Sequence, residues 1–301
     1  MISGNLLEET LPLPFVSVII PVYDDSQRLR ACLRSLRAQT YPASGYEVIV
    51  VDNASREDIQ RVVDEAGGVV YAHEGTRGPA AARNKGVSLA KGEVIAFSDS
   101  DCLPSPDWLE KGVRALTAAP GCGVVGGDIR LYFQDPGRPT AVELNDMRHF
   151  RQKHYVEHAH FSATANLFTF KKVFADAGSF DESFDLPAYE DREWCDRVFS
   201  KGYPIVYAPD AIVRHPARRT LPELCRKTVA SRIGRYHYSQ KAESFDPPSL
   251  LHALRLLNSQ PELRGFRRKL GVCAVMAYVC SVEAAAQVLL TWTGGRWRPA
   301  R

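Results

Sequence analysis

Two aspartates, Asp99 and Asp101, stand one residue apart where an apolar run ends, in the stretch IAFSDSDCLP at 95–104. Two carboxylates about 4 Å apart repel each other by roughly 1 kcal/mol in water and by more near a protein surface. Carboxylate oxygens suit a hard divalent ion, Mg²⁺ or Mn²⁺, which would remove that repulsion. In an extended chain the two side chains point the same way and Ser100 points away. The spacing therefore predicts one shared metal site, and a capped turn before the next helix is the alternative.

The elements that must position these carboxylates alternate along the first hundred residues. Four short β-branched runs predict strands, and helical patterns lie between them. The strands are predicted at 15–22, 46–52, 69–74 and 93–99, and the helices at 26–39, 59–67 and 79–92. This alternation predicts an α/β protein with a doubly wound, mostly parallel sheet. Ligands bind at the carboxyl ends of the strands in such a sheet, where Tyr23, Asp52 and Asp99 fall.

The pattern loosens after residue 105. We predict a helix at 106–119, a long strand or strand pair at 123–133, a polar, His-rich loop at 134–162, a helix at 187–202, a strand at 203–209, and helices at 221–240 and 248–292. His215 follows the last predicted strand and precedes Pro216. No glycine-rich dinucleotide or P-loop motif is present in the sequence, so neither kind of phosphate cradle is supported.

Charge and cysteine content bound the class of protein. The chain of 301 residues is 45% hydrophobic and 24% charged, as in ordinary soluble enzymes. Residues 210–270 carry 13 Lys/Arg against 5 Asp/Glu, although the whole chain is only +3. This asymmetry indicates an anionic partner or membrane surface, with a solvated basic helix pair as the alternative. Seven cysteines without metal spacing favour a reducing cytoplasm.

The two ends of the chain bear on localisation. The N-terminus has no basic and apolar pattern of a signal peptide. Residues 271–292 are long enough to span a bilayer, but Glu283 and Gln287 lie near the middle, where a carboxylate costs a few kcal/mol in lipid. We therefore expect a packed or peripheral helix, which is also a candidate homodimer face, and a cytoplasmic protein with peripheral contact to the inner face of the membrane through 216–292.

Five segments occur in an order and spacing that resemble the family 2 glycosyltransferases of the GT-A fold. They are VSVIIPVYD at 16–24, VIVVDNAS at 48–55, RGPAAARNKG at 77–86, IAFSDSDCLP at 95–104 and AYEDREWCDRV at 188–198. The resemblance implies a Rossmann-like sheet with helices on both faces. It also implies a hexosyltransferase-type activity in glycan or polysaccharide biosynthesis, which moves a sugar from a nucleotide-sugar to an acceptor hydroxyl with inversion.

The resemblance also divides the chain. It implies a catalytic GT-A domain at 15–215, with a nucleotide-binding half at 15–105 and an acceptor half at 106–215. An N-terminal extension at 1–14 and a basic, helical C-terminal region at 216–301 flank this domain. The C-terminal region contains no QxxRW signature, which argues against a processive synthase.

The family's motifs assign roles at the metal and nucleotide. The resemblance implies that Asp101 ligates Mn²⁺ or Mg²⁺, that Asp99 ligates the metal or serves the ribose, and that His215 is a further ligand. Asp52 is expected to accept the imide N–H of uracil, so a UDP-sugar is the expected donor, with an Asx turn as the alternative. Tyr23 would stack on the base. The nucleotide-sugar site is expected to comprise Pro21, Tyr23, Asp52, Arg77, Arg83, Asp99 and Ser100; for the two arginines a surface salt bridge is the alternative.

The catalytic and acceptor residues also come from the resemblance. Asp191 matches the general base and Glu190 a supporting acid, although acids in a first helical turn are also favoured by the helix dipole. Asn166 and Trp194 are expected to contact a glycan, lipid-linked or small-molecule acceptor, and no nucleic acid. Two alternatives remain open: a non-catalytic nucleotide-sugar-binding or scaffold protein, and a nucleotidyltransferase on a related sheet.

Overall fold

The computed structural model describes residues 13–147, 150–241 and 266–298. In this part of the chain one mixed sheet carries helices on both faces. The strands are β1 (Val16–Val22), β2 (Tyr46–Asp52), β3 (Val70–His73), β4 (Val94–Ser98), β5 (Leu103–Pro104), β6 (Val124–Tyr132), β7 (Asn166–Phe170) and β8 (Ile205–Pro216). The helices are α1 (Ser26–Arg37), α2 (Ile59–Ala66), α3 (Pro79–Leu89), α4 (Trp108–Ala118), α5 (Ala141–Asp146), α6 (Gln152–Ala159), α7 (Lys171–Ala177), α8 (Glu190–Ser200), α9 (Leu221–Ser239) and α10 (Phe266–Trp292).

The strand order is β3-β2-β1-β4-β7-β6-β8-β5. β1, β2, β3 and β4 are mutually parallel, and β8 runs parallel to β6. β7 is antiparallel to both of its neighbours, β4 and β6, and β5 is antiparallel to β8. The predicted mostly parallel, Rossmann-like sheet is confirmed, and the reversed strand β7 joins its two halves.

Two apolar layers cover the sheet. Residues of α1, α2 and α4 pack on one face, with Leu29 and Trp108 fully buried. Residues of α3, α7 and α8 pack on the other, around Phe97 and Trp194. Because both faces are covered, the β-branched strands are buried almost without interruption, which is why they show no polar alternation in the sequence.

Two predictions for the second half of the chain were wrong, and a third is only partly described. The predicted loop at 134–162 contains α5 and α6, and Thr140 and Glu143 form a reciprocal capping box at the start of α5. The last strand does not end at 209 but continues to Pro216, so His215 lies within β8. The predicted helix at 248–292 is described only from Phe266, and 248–265 lie outside the described residues.

The C-terminal helices α9 and α10 pack against α5. Leu144 meets Val272 and Met276 in one small apolar cluster, and Leu224 meets Val275 in another. Among the described residues, one helix is long and apolar enough to cross a membrane, at Arg268–Trp292, and 22% of its apolar window is buried in the chain.

Candidate active site

The Asp99–Asp101 segment lies in a turn, not in the extended conformation that the sequence predicts. β4 ends at Ser98, and the Cys102 N–H donates to the Asp99 carbonyl at 3.1 Å. Ser100, between the two acids in this turn, is buried. The turn brings the two carboxylates together at the carboxyl end of β4. The predicted proximity of the two acids is therefore confirmed, whereas the predicted extended backbone is wrong.

Four side chains offer ligand atoms within 4.8 Å of one another: Asp99, Asp101, Cys102 and His215. His215 Nε2 lies 3.5 Å from Asp101 Oδ1, while its Nδ1 lies 2.8 Å from the Pro216 carbonyl oxygen. A carbonyl only accepts, so Nδ1 carries a hydrogen, and Nε2 is the ring nitrogen that faces Asp101. A ligating histidine is commonly oriented in this way, so the donor set fits a divalent metal ion.

Cys102 is not expected to join that ligand set. Its thiol is fully buried, and burial together with the neighbouring carboxylates of Asp101 and Asp99 raises its pKa well above the ordinary value. A neutral thiol is a poor ligand, and hard ions prefer oxygen. The set that remains, two carboxylates and one imidazole, suits Mn²⁺ or Mg²⁺.

Two arginines compensate the charges of the aspartate pair. Arg28 Nη1, on the first turn of α1, lies 3.7 Å from Asp101 Oδ2 and also pairs with Asp25 at 2.8 Å. Arg83 Nη2 donates to Asp99 Oδ1 at 2.9 Å. Sequence reasoning missed Arg28, because its only local signal is the i, i+3 spacing from Asp25, which is common on helices.

Arg83 connects the aspartate turn to the start of α8. Its Nη1 donates to Glu190 Oε1 at 2.9 Å, and the guanidinium is only 4% exposed. The guanidinium therefore pairs with two carboxylates of the protein itself. This geometry does not support the predicted contact of Arg83 with the nucleobase or the diphosphate of the donor. Arg77 lies exposed just before α3.

Glu190 and Asp191 open α8, after Tyr189 adopts a left-handed conformation at φ 74°. Glu190 is buried, and its Oε2 has no hydrogen-bond partner. Burial and then the adjacent Asp191 raise the pKa of Glu190 to about 7. Burial also raises the pKa of Asp191, against the opposing charge of Arg83. A raised pKa makes Asp191 a stronger base than an exposed aspartate.

Asp52 lies at the carboxyl end of β2 and is buried. Its Oδ1 accepts the Ser55 N–H at 2.9 Å, and its Oδ2 accepts the Tyr71 hydroxyl at 3.1 Å. The Asx turn, which is the alternative role of Asp52 in the sequence analysis, is therefore present. Each carboxylate oxygen has a second lone pair, so this turn leaves room for a base N–H. At the same edge of the sheet Tyr23 is 48% exposed, as a stacking surface requires, and Pro21 is partly buried.

The sequence analysis predicts that Asn166 and Trp194 contact the acceptor, but neither side chain is placed to do so. Both are fully buried. Asn166 accepts from Trp108 Nε1 and donates to the carbonyls of Asp128 and Ala211, each at 2.8 Å. Trp194 Nε1 donates to the Gly178 carbonyl at 2.8 Å. Their polar atoms hold the sheet and the α7–α8 connection together.

Lys227 is a second residue that sequence reasoning missed. It lies on α9, is partly buried, and its Nζ donates to the Pro187 carbonyl at 2.7 Å. Burial and then Arg218 lower its pKa, while the charges of Glu190 and Asp191 oppose that shift. Nothing in the local sequence separates Lys227 from the other cations of this basic helix.

Comparisons with known proteins agree with the geometry. The model of the family "Glycosyl transferase family 2" matches residues 17–178. Glycosyltransferase AglE of Haloferax volcanii is 35% identical over 232 residues, which are 75% of this chain and 74% of that protein. Pre-mycofactocin glycosyltransferase of Mycobacterium tuberculosis is 30% identical over 68% of this chain, which spans only 43% of that protein.

A solved structure shows the same fold. The mannosyltransferase PcManGT from Pyrobaculum calidifontis, in complex with GDP-Man and Mn²⁺, superposes with a TM-score of 0.60 at 21% identity, over 94% of this chain and 82% of that chain. The similarity in fold therefore covers almost the whole of this chain. The chain belongs to glycosyltransferase family 2 and is a transferase with the GT-A fold.

Proposed function

We propose that this protein is a metal-dependent, inverting glycosyltransferase that moves a sugar from a nucleotide-sugar to an acceptor hydroxyl. The observation that carries the proposal is the convergence of Asp99, Asp101 and His215 ligand atoms within 4.8 Å of one another. Arg83 ties this cluster to the acid pair Glu190–Asp191 through two hydrogen bonds of 2.9 Å. These hydrogen bonds connect the proposed metal and donor site to the proposed base.

Asp101 and His215 would hold Mn²⁺ or Mg²⁺, and Asp99 would share it or bind the ribose. A bound cation would stabilise the charge that grows on the leaving diphosphate. The mannosyltransferase structure that contains Mn²⁺ supports a metal in this fold. Arg28 adds a positive charge 3.7 Å from Asp101 Oδ2, where it can bind an anionic leaving group.

Asp191 is the proposed general base. Its Oδ1 accepts the N–H of Arg192 at 2.8 Å, which fixes the carboxylate at the start of α8. As the acceptor oxygen bonds to the anomeric carbon, the bond from that carbon to the phosphate oxygen breaks, and the hydroxyl proton passes to Asp191. A single displacement of this kind inverts the anomeric configuration. Glu190 supports it by holding Arg83.

The proposed donor is a UDP-sugar. The buried Asp52 carboxylate can accept the N3–H of uracil, and cytosine has no such donor. Guanine also presents a ring N–H, and the mannosyltransferase neighbour binds GDP-Man, so GDP-sugars are the competing class. Thermal shifts with UDP and with GDP, each with Mn²⁺, separate the two, because a ligand raises the apparent stability by mass action.

We propose that α10 gives the protein peripheral contact with the inner face of the membrane. Its exposed side chains between Leu270 and Trp292 carry no charge, and Glu283 is partly buried near Arg232 of α9. Apolar surface beside a basic region binds anionic lipid surfaces. Co-sedimentation with phosphatidylserine vesicles at low salt tests this. No binding together with a dimer in light scattering would assign the face to a second copy of the chain.

The reaction is tested by nucleotide release from UDP-glucose, UDP-N-acetylglucosamine and GDP-mannose, with and without Mn²⁺. We expect Mn²⁺-dependent release of a nucleoside diphosphate, abolished in Asp101→Asn. The control is Asp176→Asn, whose surface carboxylate pairs with Lys201 3.3 Å away. Binding without release from any donor would favour the alternative of a non-catalytic nucleotide-sugar-binding or scaffold protein.

A further inference from the structure

The segment at 181–189, here called the 181–189 loop, leads directly into the acid pair. It ends at Tyr189, whose left-handed backbone, at φ 74°, turns the chain into α8. A non-glycine residue in this conformation persists only where its surroundings hold it. Glu190 is the next residue, so any movement of the loop displaces the first turn of α8 and the carboxylates on it.

Four cations from the described part of the C-terminal region contact this loop. Lys227 Nζ donates to the Pro187 carbonyl at 2.7 Å, Arg235 Nε donates to the Tyr189 hydroxyl at 3.0 Å, Arg298 Nε lies 3.2 Å from Asp185 Oδ2, and Lys241 pairs with Asp181. Three of the four, Lys227, Arg235 and Lys241, belong to the basic stretch at 210–270, which carries 13 Lys/Arg. Part of that positive charge thus faces the 181–189 loop of the protein itself.

A glycine brings α9 against the same loop. A Cβ on Gly234 would lie 2.4 Å from the Ala188 carbonyl oxygen, closer than real Cβ atoms approach. Glycine inside a helix is less favourable than alanine, so a close approach of backbone to backbone is the reason for it here. The contact lies two residues before Glu190.

We propose that the C-terminal region positions the catalytic base, with Lys227 and Arg235 as positioning residues and Gly234 as the contact that sets the distance between α9 and the 181–189 loop. The inference rests on the proposed role of Asp191 as the base. It gives the basic region a role in the reaction that is separate from any membrane contact.

The charges around Asp191 support a direct effect of Lys227. Besides Glu190 and Cys195 on its own helix, the titratable groups that interact with it in the described part of the chain include Arg83 of α3, Lys227 of α9, Asp99 after β4 and Tyr155 of α6. Arg83 and Lys227 lower the pKa of Asp191, and Asp99 raises it. Removing the ammonium of Lys227 should therefore move the acidic limb of activity to higher pH.

The first test compares Lys227→Met, Lys227→Arg and the control Arg226→Met, an exposed cation on the same helix. In Lys227→Met we expect kcat to fall roughly tenfold with little change in the KM of the donor, because only the base is misplaced. The apparent pKa of the acidic limb of the kcat/KM profile should rise by about one pH unit. Lys227→Arg should restore both, and Arg226→Met should match the wild type. An unchanged kcat and pH profile in Lys227→Met would overturn the proposal.

A second measurement needs no substrate. Hydrogen exchange of the backbone amides at 187–193 is followed in the full-length Gly234→Ala, Lys227→Met and Arg226→Met variants. We expect faster exchange in the first two and wild-type exchange in the control. Equal protection in all three would contradict the proposal. If Asp191→Asn keeps its turnover, the assignment of the base fails, whereas an inactive Asp191→Asn beside a fully active Lys227→Met makes only the positioning role fail.

Discussion

Replacing Arg83 with methionine removes the buried cation that joins the aspartate turn to α8. The guanidinium is 4% exposed and donates to Asp99 and Glu190 at 2.9 Å each. Methionine fills a similar volume without charge. Because Glu190 is itself buried, the change leaves a carboxylate without its cation, and breaking such a buried pair costs about 3–5 kcal/mol of unfolding free energy.

The size of that loss should depend on pH. Burial and Asp191 already raise the pKa of Glu190 to about 7 from an ordinary 4.5, while Arg83 opposes the rise. A carboxyl whose pKa is higher in the folded state binds more protons when folded, so it loses stability as pH rises through the folded pKa. In the wild type this loss ends near pH 7. Without Arg83 the folded pKa rises further, and the loss continues above 7 with a slope of up to about 1.4 kcal/mol per pH unit.

Urea unfolding at about pH 6, 7 and 8 measures this for the wild type, Arg83→Met and the double variant Arg83→Met/Glu190→Gln. We expect the deficit of Arg83→Met to grow towards pH 8. Glutamine does not titrate, so the double variant should lose that growth. A deficit that is the same at every pH, or that Glu190→Gln leaves unchanged, would refute the reasoning.

Three further changes have expected outcomes. Asn166→Ala should destabilise by about 2–4 kcal/mol in urea unfolding, because three buried partners lose their hydrogen bonds, while the folded fraction keeps its turnover; a stable but inactive variant would restore an acceptor role. Arg28→Gln should tighten Mn²⁺ binding in calorimetry without donor, yet raise the donor KM several-fold; an unchanged KM would exclude diphosphate contact. Glu190→Gln should leave the acidic limb of kcat/KM in place, because Glu190, with a pKa of about 7 raised by burial and by the charge of Asp191, is already uncharged where Asp191 takes up its proton; a shift of about one pH unit or more would contradict this.

The nucleotide-binding half of the sheet was predictable because its signal is local. β2 matches the predicted strand at 46–52 residue for residue, and β1, β3 and β4 differ from their predictions by one residue at their ends. The two-residue strand β5 was not predicted. Long β-branched runs between turn residues can be buried on both faces only as strands of a covered sheet. The helices α1 and α3 follow from equally local apolar and capping patterns.

The second half was less predictable because its short helices depend on distant partners. Leu144 of α5 is buried against Val272 and Met276 of α10, more than a hundred residues further along. A six-residue helix has little stability of its own, and the polar, His-rich composition of the surrounding segment, 134–162, suggests a loop. The Thr140–Glu143 spacing was the one local signal, because it matches a capping box.

The candidate site shows the same division. The proximity of Asp99, Asp101 and His215 could be predicted because they lie in motifs that resemble those of the family and close to strand ends. The partners of Arg83 could not, since Asp99 and Glu190 lie 16 and 107 residues away. Lys227 likewise contacts Pro187 across 40 residues. Charged residues whose partners are distant in the chain produce no characteristic local spacing in the sequence.

The central claim is that Asp191 is the base of a metal-dependent glycosyl transfer, and the Asp191→Asn variant tests it most directly. Calorimetry with Mn²⁺ and UDP measures binding, and nucleotide release from the active donor measures turnover, each beside the control Asp176→Asn. We predict wild-type binding in Asp191→Asn with turnover lowered at least a hundredfold, the scale of general base catalysis. Turnover within a few-fold of the wild type, with binding unchanged, would contradict the account.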